Sequence, residues 1–181
     1  MIERIPLHTE RLLLDPIGPH LADELWDASR ASLPELLPWM WWAAEASLDS
    51  TRAFAEETVR LRREGMSYQF ALRDDLGVAG AMGIDIHGAE RRFGEVGYWI
   101  RTDRAGRGYA TEAAAALVGF AFADLGLYRL ELRAGVANRA SQRVAEKLGF
   151  QREGTLRQGC ALGRTGYDCY LYGLLASDLR P

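Results

Sequence analysis

Trp99-Ile100-Arg101-Thr102-Asp103-Arg104-Ala105-Gly106-Arg107-Gly108-Tyr109-Ala110-Thr111 reads as an apolar strand end, a turn rich in arginine and glycine, and the start of a long helix. The first four N–H groups of a helix have no partner within it, and the macrodipole adds roughly half a positive charge at that end. A strand-to-helix turn points those groups at whatever lies above it, and a pyrophosphate suits such a terminus. Gly106 and Gly108 lack a Cβ and let the backbone approach a ligand closely. Arg101, Arg104 and Arg107 outnumber Asp103 and favour an anion. The plainer alternative is an ordinary turn with solvated arginines, because Gly-x-Gly alone is a weak motif.

The sequence that follows strengthens the first reading. Ala110, Ala113, Ala114, Leu117, Val118, Ala121, Phe122 and Leu125 keep the spacing of a buried helical stripe. Gly126-Leu127 reads as its stop, a left-handed residue with a hydrophobic contact behind it. Tyr128 to Ala134 alternates polar and apolar, as a strand does. Asn138 then caps a second helix that ends at Gly149-Phe150 in the same manner. Two strand–loop–helix units in succession place two helix N-termini beside one site.

Arg107-Gly108-Tyr109-Ala110-Thr111-Glu112-Ala113, then Asn138-Arg139-Ala140-Ser141 and Glu146-Lys147-Leu148-Gly149-Phe150, resemble the GCN5-related N-acetyltransferases (GNAT). Within them the chain is most similar to the ribosomal-protein N-acetyltransferase branch, the RimJ/RimL type. The resemblance begins at Thr9-Glu10-Arg11-Leu12-Leu13-Leu14 and passes through Gly97-Tyr98-Trp99, so it covers nearly the whole chain. The family's Arg/Gln-x-x-Gly-x-Gly/Ala motif falls on Ala105-Gly106-Arg107-Gly108-Tyr109-Ala110, with Ala at the first position in place of Arg or Gln. That change removes one side chain and leaves the backbone cradle.

A chain of 181 residues suits one domain, 1–181, able to bury a sizeable core. No apolar run is long enough to span a bilayer, and no secretory signal opens the sequence, so a cytoplasmic protein without membrane contact is expected. Cys160 and Cys169 lack metal-ligand spacing and read as free thiols. His8, His20 and His87 are scattered and read as surface or satisfied residues, so no metal is expected. A net charge of −3 argues against a general nucleic-acid binder and accommodates a cationic acceptor.

Ahead of the opening stretch, Leu12 to Asp15 reads as a strand and Pro19 to Ser32 as a helix that Pro34 and Pro38 break. A second helix starts at Asp49-Ser50-Thr51 and runs to about Arg63. Ser67 to Arg73, Val78 to His87 and Phe93 to Arg101 read as consecutive strands, with a turn at Asp74 to Gly77 and a polar loop from His87 to Arg92. Arg152 to Gln158 and Tyr167 to Leu175 close the chain as a strand pair. The order matches the acetyltransferase layout. The expected fold is α/β, with a mixed, mostly antiparallel sheet of six to seven strands, strands four and five splayed, and about four helices.

The resemblance implies acetyl-CoA as cosubstrate and CoA as product. The pantetheine arm would lie between the splayed strands and pair with the backbone of Tyr98, Trp99 and Ile100. The pyrophosphate would sit on Ala105, Gly106, Arg107, Gly108, Tyr109, Ala110 and Thr111. Asn138 matches the family's cofactor-binding asparagine, a role that can coexist with plain helix capping. Many members carry a Tyr seven residues after that Asn as the acid for the departing thiolate. Ala145 stands there instead. The ribosomal branch has a Ser three residues after the Asn, and Ser141 matches it, with a first-turn capping role as the alternative.

Glu95 is the candidate base, acting directly or through water; the alternative is a strand carboxylate paired with Arg91 or Arg92. Glu112, in the first helical turn, reads as structural, and Asp85 is a distant third. Pro38-Trp39-Met40-Trp41-Trp42 lies where the family places its acceptor site. Trp39, Met40 and Trp41 would wall an apolar or cationic acceptor, or else Trp39, Trp41 and Trp42 serve packing or a dimer contact. A homodimer is compatible with the exposed apolar residues.

The implied function is acetyl-CoA-dependent N-acetyl transfer by direct attack of an amine, a ribosomal-protein-like N-terminal α-amine first. A small amine such as an antibiotic, polyamine or amino acid is the alternative acceptor. A non-catalytic acyl-CoA-binding module is the alternative from another class.

Overall fold

The computed structural model describes residues 5–88, 92–162 and 165–179. Its centre is one open eight-stranded sheet. The strands are β1 (Leu7–His8), β2 (Leu13–Pro16), β3 (Ser67–Asp74), β4 (Gly77–His87), β5 (Phe93–Ile100), β6 (Arg129–Gly135), β7 (Gln151–Leu162) and β8 (Thr165–Leu175). The spatial order is β1-β2-β3-β4-β5-β6-β8-β7, and every pairing is antiparallel except β5 with β6.

Alternation along the strands sends apolar side chains to two cores. On one face Leu14, Phe70, Ile84, Val96, Leu132 and Leu174 pack under α4 (Tyr109–Ala123) and α5 (Arg139–Lys147). On the other, Ile17, Ala71, Ala81 and Trp99 meet α1 (Ala22–Arg30) and α3 (Leu48–Arg63). Consecutive residues of β5 therefore serve opposite faces: Tyr98 and Ile100 join the first core, and Trp99 the second.

The splay expected between the fourth and fifth strands lies between β5 and β6. Their parallel ladder runs from Phe93↔Arg129 to Val96↔Leu132 and stops. β5 stays with β4 as far as Gly80↔Ile100, while β6 follows β8 to Gly135↔Cys169. The backbone of Gly97 to Ile100 thus faces a wedge inside the sheet.

Several expected boundaries move. The sheet gains an eighth strand because the two-residue β1 pairs with β2. The helix expected over Pro19 to Ser32 divides into a 3-10 turn at Pro19–Leu21 and α1. Pro34 starts a helix instead of only breaking one: it sits in the first turn of α2 (Leu33–Leu36), where a missing N–H is harmless. α3 is capped at Ser47, whose hydroxyl accepts from the Ser50 N–H, and so begins ahead of Asp49. β7 extends well past Gln158 because it is a largely exposed edge strand with register shifts, which erase the alternation that marks a strand in sequence.

Candidate active site

The turn before α4 has the geometry its sequence implies. Gly106 and Gly108 adopt φ of 76° and 85°, a region closed to most side chains. Gly108 is the N-cap of α4, and no side chain caps that end. The first helical N–H groups therefore stay available to an anion.

The arginines are a correction. Arg101 pairs with Asp103 at 2.9 Å, and Arg104 bridges Asp74 at 3.0 Å and Asp103 at 2.9 Å. The Asp74 side chain is only 2% exposed, so Arg104 is a buried strut of the turn. Arg107 donates to the Asp103 carbonyl at 3.3 Å. Of the three, it is the one without a carboxylate partner among the described residues, yet its side chain does not line the cavity beside the turn, which Arg104 does.

Glu112 is structural, as expected, and its partners come from the chain start. It accepts from the Thr9 hydroxyl at 2.6 Å, the Arg11 backbone N–H at 2.9 Å and the Arg11 Nε at 2.7 Å. Burial opposes its charge, but these three donors prevail and hold the carboxyl below the usual range. Arg11 also donates to the Arg107 carbonyl at 3.0 Å and lies over the Tyr109 ring.

At the other end of the wedge stands the N-terminus of α5. Asn138 caps it, its Oδ1 accepting from the Ser141 N–H at 3.1 Å. The Ser141 Oγ lies 3.0 Å from the Tyr98 hydroxyl. Burial pushes Tyr98 up to about 12, against the opposing pull of its Ser141 contact. Ala145 is fully buried one turn on.

A cavity of about 680 Å³ joins these parts. Its walls include Tyr98, Trp99 and Ile100, the turn from Ala105 and Gly106 to Gly108 and Thr111, and Asn138 with Ser141. Trp39, Met40 and Trp41 line it from beyond the sheet. Trp39 stands edge-on to Tyr167, with centroids 6.1 Å apart, and its carbonyl accepts from the Tyr167 hydroxyl at 2.9 Å. Trp41 is 67% exposed. Trp42 takes the packing role and leans on Trp99 at 6.2 Å. The helix α2 that precedes the segment is tied to the turn after β5 through Ser32, whose hydroxyl accepts from the Thr102 N–H at 3.0 Å.

Glu95 also lines this cavity, but with other partners than the sequence suggested. Arg133 lies 3.5 Å from it and His87 4.0 Å. Arg92 packs over Tyr128 instead, and Arg91 lies outside the described residues. Asp85 accepts from Ser67 and Gln69 and is structural. Cys160 lines the cavity, whereas Cys169 is buried, and burial with the neighbouring Cys160 pushes its thiol up to about 12.

Sequence reasoning assigned Tyr98 for its backbone alone and missed its side chain, as it missed Tyr167, Arg133 and Arg11. Strand alternation places Tyr98 on the α5 face and was the one signal available for it. The others depend on pairings across the sheet.

A sequence profile described as Acetyltransferase (GNAT) domain matches residues 11–151. The N-acetyltransferase p20 of Bacillus licheniformis is 30% identical over 175 residues, covering 95% of this chain and 97% of the relative. The ribosomal-protein-serine acetyltransferase of Escherichia coli (strain K12) is 27% identical over 126 residues, covering 70% of each chain. The chain spans only 53% and 64% of the lengths of two further relatives, both from Bacillus subtilis (strain 168). Among solved structures, Mycobacterium smegmatis RimJ in complex with CoA-disulfide superposes with a TM-score of 0.84 at 26% identity, covering 94% of this chain and 84% of the other. A profile match over that length, on a fold whose sheet opens beside an uncapped glycine turn, settles the kinship: the chain belongs to the GNAT acetyltransferase family.

Proposed function

We propose that the chain is an acetyl-CoA-dependent N-acetyltransferase whose acceptor is a protein N-terminal α-amine. The observation that carries this reading is the continuous cavity, which runs from the uncapped turn at Gly108, along the unpaired edge of β5, to Ser141 and out between Trp39 and Tyr167. The parts fit the cosubstrate. The turn at 105–111 accepts a pyrophosphate through backbone N–H groups, and the Gly97 to Ile100 edge offers donors and acceptors to the two amides of a pantetheine arm. Bound acetyl-CoA supplies the activated acetyl thioester.

The chain's own residues do the rest. Ser141, at a helix N-terminus, donates a hydrogen bond to the departing thiolate. Glu95, on the cavity wall, attracts the acceptor ammonium and receives its proton directly or through water. An α-amine has a reference pKa of about 8, so roughly a tenth is neutral at pH 7 and no strong base is required. Attack is direct in this reading: Cys169 is buried with a raised thiol pKa and holds its proton, and Cys160, the thiol that lines the cavity, should be replaceable by Ser with turnover unchanged.

The exposed Trp41 at the mouth favours a large acceptor, a peptide chain trailing out of the cavity. The Trp39–Tyr167 pair favours a second reading, a small cationic amine held against aromatic edges and faces. Release of CoA thiol from acetyl-CoA tests both. Peptides with free Ser or Ala N-termini should support turnover above the rate with polyamines, amino acids or aminoglycosides. Turnover with small amines alone would replace the peptide assignment. Bound acetyl-CoA with no thiol release from any amine would favour a non-catalytic module.

A further inference from the structure

Ser141 is held from two sides by different elements. Its backbone N–H is fixed by Asn138 Oδ1 at 3.1 Å, and its Oγ meets the hydroxyl of Tyr98 at 3.0 Å. Tyr98 belongs to β5, two residues past the last pair of the β5–β6 ladder at Val96↔Leu132. Its backbone therefore lies on the wedge while its side chain crosses to the first turn of α5. Both residues line the cavity.

A serine hydroxyl has one hydrogen and two acceptor sites. Either hydroxyl of the pair satisfies the geometry as donor. Only one assignment leaves the serine hydrogen for the cavity: Tyr98 donates, and Ser141 accepts. The reverse would turn the Ser141 hydrogen into the protein and away from a leaving group. Burial at Tyr98 disfavours the phenolate and outweighs the opposing effect of the Ser141 contact, so the phenol keeps its proton, for which Ser141 offers Oγ at 3.0 Å and its carbonyl oxygen at 3.5 Å.

We propose that Tyr98 is a positioning residue for thiolate departure, its hydroxyl donating to Ser141 Oγ so that the Ser141 hydrogen is aimed at the sulfur of CoA. The inference rests on the role given to Ser141 above. No bond in Tyr98 or Ser141 is broken. When the C–S bond cleaves, its electron pair stays on sulfur, and the charge is stabilised by a chain of two aligned O–H dipoles. Polarisation along such a chain makes the terminal donor stronger than a lone serine. The arrangement supplies from a strand a phenol that the α5 sequence lacks at Ala145, although it acts through Ser141 and not on sulfur itself.

The test uses CoA as the probe and needs no acceptor. The thiol of bound CoA is titrated by the ultraviolet absorbance of its thiolate in wild type, Tyr98→Phe, Ser141→Ala and the double variant. Hydrolysis of acetyl-CoA, which expels the same thiolate into water, is measured alongside. Tyr98→Phe keeps the ring and the packing. The bound thiol should titrate about one unit higher in Tyr98→Phe than in wild type, with CoA affinity for the thiol form within about twofold. Ser141→Ala should move it the same way, and the double variant no further than Ser141→Ala. Hydrolysis should fall several-fold in each, again without multiplication. A wild-type thiol pKa in Tyr98→Phe would overturn the proposal, as would effects that add. If Ser141→Ala leaves both readouts unchanged, the Ser141 role falls first. If CoA does not bind the wild-type chain, the acetyltransferase reading itself fails.

Discussion

Arg11 and Glu112 meet across 101 positions of sequence, the guanidinium on one carboxylate oxygen and the backbone N–H on the other. Because Arg11 also donates to the Arg107 carbonyl, this pair grips the glycine turn from behind while the turn's own N–H groups face the cavity. A contact that touches no ligand thereby sets the shape of the anion site.

Glu112→Gln should loosen that grip. The carboxylate is largely shielded but Arg11 is half exposed, so a loss of about 1 kcal/mol is the expected scale. The Glu112 carboxyl is held below its ordinary value in the folded protein. Its contribution is therefore complete above the unfolded carboxylate pKa and disappears as pH falls through the lower, folded one. Urea unfolding of both proteins from neutral pH to strong acid should give a constant gap that closes only at the acid end.

Gly108→Ala places a side chain at φ of 85° in the turn. The strain is about 1–2 kcal/mol, and relieving it tilts the first N–H groups of α4. Acetyl-CoA affinity should fall by about tenfold, measurable by calorimetry. Melting of the ligand-free protein should shift by only a few degrees.

Gly135→Ala acts at the other end of the cavity. A Cβ there would lie 2.9 Å from the Tyr167 ring and 3.0 Å from the Trp39 ring. These large, packed rings must separate. The KM for the acceptor should change several-fold while acetyl-CoA affinity stays near wild type, a split that steady-state kinetics with each substrate varied would reveal.

Glu95→Gln should lower kcat/KM for a cationic acceptor about tenfold, the scale of a lost charge-assisted contact. The rise of rate with pH should survive, because it reports the amine. A variant rate that no longer rises with pH would overturn the assignment of that rise to the amine. A pH–rate profile of wild type and variant distinguishes the two.

The parts legible in sequence were those made by neighbours along the chain. The turn from Ala105 to Thr111, the stripe of α4 and the Asn138 cap each need only local spacing, and each formed as spaced. Arginine in the turn was misread because composition gives a charge but not its partner. Asp74 belongs to a hairpin about 30 positions upstream, and only sheet order brings it to Arg104. The Trp39–Tyr167 contact joins residues 128 apart and had no local signal. β7 looks short in sequence because an exposed edge strand is under no demand to alternate. Pro34 resembles a stop in sequence because proline at a first turn and proline after a helix differ only in the backbone around them.

The parallel ladder of β5 and β6 holds only four residue pairs. In its hydrogen bonding the sheet is therefore two leaves joined by a short spine, β1 to β5 on one side and β6 to β8 on the other, with α4 and α5 packed across both. A pantetheine arm lying along Gly97 to Ile100 would lengthen that spine with its own amides. Cosubstrate affinity and the mechanical union of the leaves then become one free energy. Amide exchange in β6 and β8 should slow with CoA concentration as mass action dictates, so that occupancy can be read at strands remote from the glycine turn.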